Sequence, residues 1–324
     1  MRFSIRAFAQ TEVAIMKTTS VTGTSVETSD GSRCRDYLLL LWNDKLAFLS
    51  TVFVTFILIC AFVGPWLFAK EATSMNLMLR NAPPFQLKNG FWLILGGDTL
   101  GRSVLARIAV ASANTLLVAG LAVSLSLVIG TALGLSVGLR SGWAGTITLR
   151  CADILMSFPS LLLAMIALYV FKPGMTSVVL VMALTRLPVY IRTVRAETLE
   201  VRERMFVLAA RTMGASTGRI VFKHILPVVL PTLLTIATLE FAFVMLTEAS
   251  LSFLGLGIQP PEVSWGLMVA EGRNYLQTAW WIAFWPGLAI MLTTTSLNLL
   301  SNWLRVATDP KQRWRLEKRS GANA

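Results

Sequence analysis

Apolar residues along this chain come in long runs, with no strict alternation. The first run, Leu46 to Phe68, holds 23 residues without a charge. At 1.5 Å per residue it crosses a hydrocarbon core of about 30 Å. Gly64-Pro65 lies near its end, where a helix stops. Residues 69–111 are mixed and moderately polar, with Pro83-Pro84 and the aromatic pair Phe91-Trp92. They predict an extramembrane segment lying on the interface. Five more apolar runs follow, at about 114–138, 155–171, 175–194, 228–254 and 280–303. The third run of the chain is short because Lys172-Pro173-Gly174 turns it directly into the fourth. The run from 228 is entered through Pro227 and Pro231, which predicts a kink or tilt. Six spans make an all-α integral membrane protein with both termini on one side.

Composition supports that reading. Of 324 residues, 55% are apolar and only 14% charged, against about 25% charged in a soluble domain. With a mean hydropathy of +0.65, too little polar surface remains to coat a globule. A water-soluble enzyme, a disordered chain and a nucleic-acid-binding module are all excluded. The net charge of +12 is then read by location. Segments 1–45, 139–159, 195–224 and the tail after 304 carry twenty Lys/Arg, whereas the opposite side carries seven. The basic excess places both termini in the cytoplasm. The Lys311–Arg319 cluster suits anionic lipid headgroups and calls for no nucleic acid.

Chemistry-bearing motifs are sparse. Cys34, Cys60 and Cys151 are far apart and form no CxxC, so neither a disulfide framework nor a zinc site is predicted. His224 is the only histidine. HExxH and the Walker A pattern are both missing, so the chain is not itself a nucleotide hydrolase. No secretory signal is read in the polar, Ser/Thr-rich first 45 residues, and Met16 is an alternative start.

The 195–224 segment is too long for a tight connection. Glu197 to Met213 has helical composition, with Glu200 and Arg204 spaced for an i,i+4 ion pair. Ala209-Ala210 offer a small-residue surface that another protein can approach. Gly214 is suited to end that helix with φ > 0, and Ser216 or Thr217 to cap the next one, which climbs to Pro227. The result is a short helix held between two spans and nearly parallel to the membrane.

These residues carry a resemblance. Val207-Leu-Ala-Ala-Arg-Thr-Met-Gly-Ala-Ser216, followed by Arg219-Ile-Val-Phe-Lys-His-Ile-Leu-Pro227, resembles the EAA coupling loop of bacterial ABC importer permeases. It is nearest to the second permease subunit of the dipeptide/oligopeptide/nickel family, with Leu208 standing where the motif has Glu. Gly97-Asp-Thr-Leu-Gly-Arg102 through Arg107, Ser141 to Gly145 with Arg150, Asp153 and Phe158-Pro159, Glu248 to Gly257, Gln259 to Gly266, and Asn298 to Arg305 with Asp309-Pro310 are similar to further blocks of that family. Gly97, Ser103, Ala106, Ser301 and Asn302 depart from its pattern. The resemblance covers most of the chain from about residue 38. It implies a type I ABC importer permease fold in the bacterial inner membrane, with a 112–304 core and a 305–324 tail. It further implies pairing with a homologous permease, two ATPase subunits that use ATP and Mg, and an extracytoplasmic binding protein. No cofactor is implied on this chain. The coupling contact would fall on Ala209, Ala210, Arg211, Gly214, Ala215 and Ser216. Peptides, nickel complexes and glutathione are all moved within the family, so the substrate stays open.

Single residues keep two readings each. Asp98 and Arg102 either dock the binding protein or merely fix a turn. Glu240, near mid-span, either faces the translocation path, pairs with Arg186, or packs against a partner subunit. Arg186 is close enough to Arg192 to snorkel toward the cytoplasmic headgroups. Glu248 braces the outer end of the fifth span. Trp280, Trp281 and Trp285 read as interfacial anchors. Gly120, Gly130, Gly134 and Gly138 permit close helix packing, with the partner permease as one candidate. Two rivals of other classes remain. A membrane-embedded enzyme would cluster His, Asp or Glu on facing spans. A secondary transporter would show an internal repeat with matching broken helices.

Overall fold

The computed structural model describes residues 40–42, 44–86, 91–140, 142–172 and 174–308. The polar N-terminal segment up to 39, with Cys34 and the Met16 start, lies outside these residues. So do Ser141, Pro173, Asp309-Pro310 and the basic cluster from Lys311. Among the described residues the chain is helical. One antiparallel bridge joins Gly97 and Ser103.

Helix α1 spans Lys45–Leu67, with the Asp44 carboxylate accepting from the Ala47 N–H at 3.3 Å. It buries Ala47, Ser50, Ile57 and Gly64. The last three recur every seven residues, so one seam meets the protein and the rest of the surface is left for lipid. A short helix α2, Ala69–Thr73, and two 3-10 turns at Leu77–Leu79 and Phe91–Leu93 lead to α3.

Helix α3 runs Val104–Leu139, 36 residues, started by Ser103 whose hydroxyl accepts from the Ala106 N–H. At about 54 Å it exceeds the hydrocarbon thickness. It also begins ten residues before the apolar run. The charge of Arg107 hid this turn from a hydropathy reading, but that side chain is buried on carboxylates. The 155–171 run resolves into two helices. These are α4, Trp143–Ser157, and α5, Ser160–Phe171, bent by 97° at Phe158-Pro159. At about 18 Å, α5 is too short to cross alone. Five helices are long and apolar enough to cross, or six if the bent pair counts as one.

Helix α6, Met175–Arg202, carries the fourth run eight residues past its apolar end. Helix α7, Met205–Thr212, follows a two-residue break, and α8, Thr217–Ile220, passes through a π-helical turn, Val221–Ile225, into α9, Leu226–Phe253. Pro227 falls at the second position of α9, whereas Pro231 lies inside the helix, where it removes one backbone donor. Helix α10, Trp265–Gly272, precedes α11, Trp281–Thr308.

Helix α3 packs along α6, α1 and α9, while α11 packs on α9, α10 and α1. The glycine ladder of α3 explains its closest contact. A Cβ at Gly130, Gly134 or Gly138 would fall 2.5, 2.6 or 2.7 Å from Tyr190, Val194 or Thr198. Lipid tails are as apolar as leucine, so close packing rather than the hydrophobic effect joins these spans. The ladder therefore serves contact with the chain's own α6, which replaces the expectation of a partner permease there. Gly120 stands apart, in ordinary contact with Phe241.

Candidate functional site

Three clusters of functional side chains are distributed along the spans. The first is the 203–225 segment. The Glu200–Arg204 ion pair forms at 2.7 Å, but it straddles the α6–α7 break instead of lying within one long helix. Residues 197–202 belong to α6. Gly214 has φ +80° and Ser216 accepts from the Arg219 N–H, so Ser216 and not Thr217 caps α8. Helix α7 has two faces. Met205, Phe206, Ala209, Arg211 and Met213 are exposed, as are Gly214 and Ser216 beyond it, while Ala215 is half-buried. Val207 and Ala210 are buried against the chain itself, so Ala210 drops out of the small-residue surface expected at 209–210. Val207, Ile220 and Ile225 share one apolar core with Leu135 of α3, Tyr190, Val194 and Val201 of α6, and Val229 and Leu233 of α9. Arg202 adds a hydrogen bond to the Gly138 carbonyl at 2.9 Å. The half-buried His224 faces Phe206 with 6.3 Å between ring centroids.

The second cluster lies at the opposite end. Asp98 is 1% exposed. Its Oδ1 accepts from the backbone of Leu100 and Arg102, both at 2.8 Å, and its Oδ2 from Arg102 Nε at 2.6 Å and Arg107 Nη1 at 2.8 Å. Arg107 Nη1 also reaches Glu271 of α10 at 2.8 Å. Two cations and two anions thus tie the 97–103 turn to α10. Charge burial of this kind is tolerated only when paired and hydrogen-bonded. Asp98 presents no surface to a partner, so turn fixing describes it. Arg102 keeps a side chain 17% exposed. Nearby, Trp281 is buried and donates Nε1–H to the Gly97 carbonyl at 3.1 Å. It is a tie between α11 and the turn, not the interfacial anchor expected, whereas Trp280 stays exposed. Glu248, fully buried on α9, accepts from Ser252 at 2.7 Å and from Ser264, the cap of α10, at 3.0 Å. It braces α10 on the end of α9.

The third cluster is intramembrane. Glu240 lies fourteen residues after Leu226 and thirteen before Phe253, near the middle of α9. Its Oε2 stands 3.6 Å from Arg186 Nη1 of α6, and the Arg186 guanidinium lies over the Phe243 ring, 4.2 Å from its centroid. The Arg186 guanidinium turns to the Glu240 carboxylate of α9, in place of the snorkelling expected toward the headgroups. Sequence reasoning named both members. It missed Phe243, which carries no signal apart from its position one turn beyond Glu240. It also missed Arg107 and Glu271, which are 164 residues apart.

Residues 130–314 match the family described as the binding-protein-dependent transport system inner membrane component. Residues 32–84 match the N-terminal transmembrane domain of oligopeptide transport permease C. The chain belongs to this family of transport permeases. The permease is 37% identical to the di/tripeptide transport system permease protein DppC of Pseudomonas aeruginosa, over 83% of this chain and 89% of that one. It is 36% identical to the probable D,D-dipeptide transport system permease protein DdpC of Escherichia coli, over 84% and 90%. It is 35% identical to the glutathione transport system permease protein GsiD of Pectobacterium atrosepticum, over 86% and 91%. Its fold resembles that of the MetNI methionine ABC transporter in an inward-facing form, with a TM-score of 0.50 and 19% identity over 60% of this chain and 94% of that one. The permease is a multi-span inner-membrane protein, and neither an enzyme nor a secondary transporter is the favoured class. The position that holds Leu208 in this permease is half-buried.

Proposed function

We propose that this chain forms one half of the translocation path of an ATP-driven importer of short peptides. It pairs with a homologous permease, is fed by an extracytoplasmic binding protein, and is driven by two ATPase subunits that hydrolyse ATP with Mg. Both termini and the 203–225 segment face the cytoplasm, which the twenty-to-seven distribution of Lys/Arg supports. The observation that carries the reading is the two-faced α7. It exposes Met205, Phe206, Ala209 and Met213, yet plants Val207 and Ala210 in the chain. A push on the exposed face is delivered through the shared core to α6 and α9, which together hold the intramembrane pair. Ala209, Arg211, Gly214 and Ser216 form the contact surface, with Ala210 and Ala215 as its support. Nucleotide chemistry is left to the partners, since the sequence has no P-loop. The names of the relatives at 34–37% identity support peptides as cargo. At the outer face Arg102, held by buried Asp98, is the member of that pair available to the binding protein.

The test is reconstitution of the permease pair, ATPases and binding protein in proteoliposomes with radiolabelled dialanine. The expected result is uptake that stops when ATP or the binding protein is omitted. Uptake independent of both, or no association of the chain with an ATPase subunit, overturns the importer reading. ATPase stimulation without any dialanine uptake overturns the choice of cargo.

A further inference from the structure

The α9 helix keeps exposed apolar side chains along its length. Leu230, Leu234, Leu239, Phe243, Leu246 and Phe253 are all exposed along it. Leu239, Phe243, Leu246 and Phe253 form a stripe on one face of the C-terminal half, and the five-residue step from Leu234 turns Leu230 and Leu234 to another side. Lipid alone would suit such a stripe, were it not for what reaches it at mid-depth. The Arg186 and Glu240 side chains are 12% and 14% exposed, and the guanidinium is covered by Phe243, itself on the stripe. Glu240 is about 20 Å from either end of its helix, and Arg186 about 17 Å from the nearer end of α6. A charged pair that reaches an open face at this depth is costly against hydrocarbon and is retained where a polar path or partner meets it.

The pair is also incompletely satisfied. Its closest approach, 3.6 Å, is longer than a hydrogen bond. Glu240 Oε2 has no hydrogen-bond partner among the described residues. The hydroxyl of Tyr190, one helical turn from Arg186 and fully buried, also has none. Unmet polar groups in low dielectric are expensive, so a polar ligand arriving here finds two groups to satisfy.

We infer that Arg186 and Glu240 form a mid-membrane waystation for the two charged ends of a zwitterionic short peptide. The Arg186 fork takes the terminal carboxylate and the Glu240 carboxylate takes the terminal ammonium. Charge bookkeeping selects this ligand class. When the internal pair parts to receive a zwitterion, each charge gains an opposite one and nothing is left unpaired. A cation alone would strand Arg186, and an anion alone would strand Glu240. The stripe side chains themselves are apolar, so recognition falls on the termini that all such peptides share. After the peptide leaves, the internal pair reforms and closes the path.

This inference rests on the importer reading above, and the experiment separates the two. The full complex in proteoliposomes is assayed with dialanine for uptake and for binding-protein-stimulated ATP hydrolysis. The double variant R186M/E240L removes both charges without leaving one unpaired. The expected result is uptake reduced at least tenfold with stimulated ATP hydrolysis within twofold of wild type. The reversed pair R186E/E240R offers the termini the opposite orientation and is expected to keep at least a third of wild-type uptake. Wild-type uptake by R186M/E240L overturns the inference and leaves a structural ion pair. Loss of the partner permease from purified R186M/E240L overturns it in favour of a subunit contact. A reversed pair that fails to assemble, or assembles without uptake, also overturns it. Absence of uptake by the wild type fails the importer reading first, and this inference falls with it.

Discussion

Arg107 is 3% exposed and its guanidinium is shared between Asp98 and Glu271. Replacing it with Ala leaves a buried carboxylate with one cation fewer, and breaking a buried pair in this way costs about 3–5 kcal/mol. The expected outcome for Arg107→Ala is a clearly lowered thermal midpoint of the purified protein in detergent. Arg102→Ala, at a partly exposed site, should shift it much less. Gly134 offers a second test at this scale. A Cβ there lies 2.6 Å from the Val194 Cβ and 2.9 Å from the Ile191 carbonyl oxygen, which is backbone and cannot step aside. Gly134→Val should destabilise by about 1–3 kcal/mol or more through overpacking. The same change at Gly218, where nothing lies within 4 Å of an added Cβ, escapes that clash. Comparing the two thermal midpoints checks this. The chemistry of Asp98, Arg186 and Glu240 was visible in the sequence as charge in unusual places. Their partners were not, because Arg186 and Glu240 meet across 54 positions of chain and only packing sets which face each presents.

At the scale of elements, α7 separates two roles that adjacent alanines make easy to test. Ala209 is exposed and Ala210 is 4% exposed. Ala209→Glu should leave the chain folded and abolish copurification with a tagged ATPase subunit. Ala210→Glu should bury an unpaired charge, lowering the yield of folded protein as well. Equal effects of the two substitutions in both assays would contradict the two-faced helix. Strongly periodic or long apolar elements were readable in advance. Helix α1 was expected over 46–68 and is found over Lys45–Leu67. The α4–α5 bend was not foreseen, because Phe158-Pro159 sits at the edge of an apolar run and hydropathy carries no direction. Nor was the extension of α6 to Arg202, since charged residues at the end of a span look alike whether helical or looped.

For the whole molecule the open prediction is orientation. Met78 and Met213 are both highly exposed and lie in the 69–103 and 203–225 segments, at opposite ends of the spans. In a background with Cys34, Cys60 and Cys151 replaced, Met78→Cys should react with a membrane-impermeant maleimide added to intact spheroplasts. Met213→Cys should react only after the membrane is opened. The reverse pattern would invert the topology.

From local information alone, the amino-acid order settled the solvent of this protein, the approximate positions of its spans, the place of its basic loops and its family motifs. Transfer of apolar side chains into lipid is a property of contiguous composition, so it can be read along a line. Tertiary structure decided the rest. It turned the glycines of α3 toward α6, sank Asp98 beneath two arginines, drew Trp281 onto the Gly97 carbonyl and set Arg186 against Glu240. Each of these depends on the rotation of one helix about its axis relative to another. That rotation is set by the sum of many close contacts, which no stretch of sequence contains by itself.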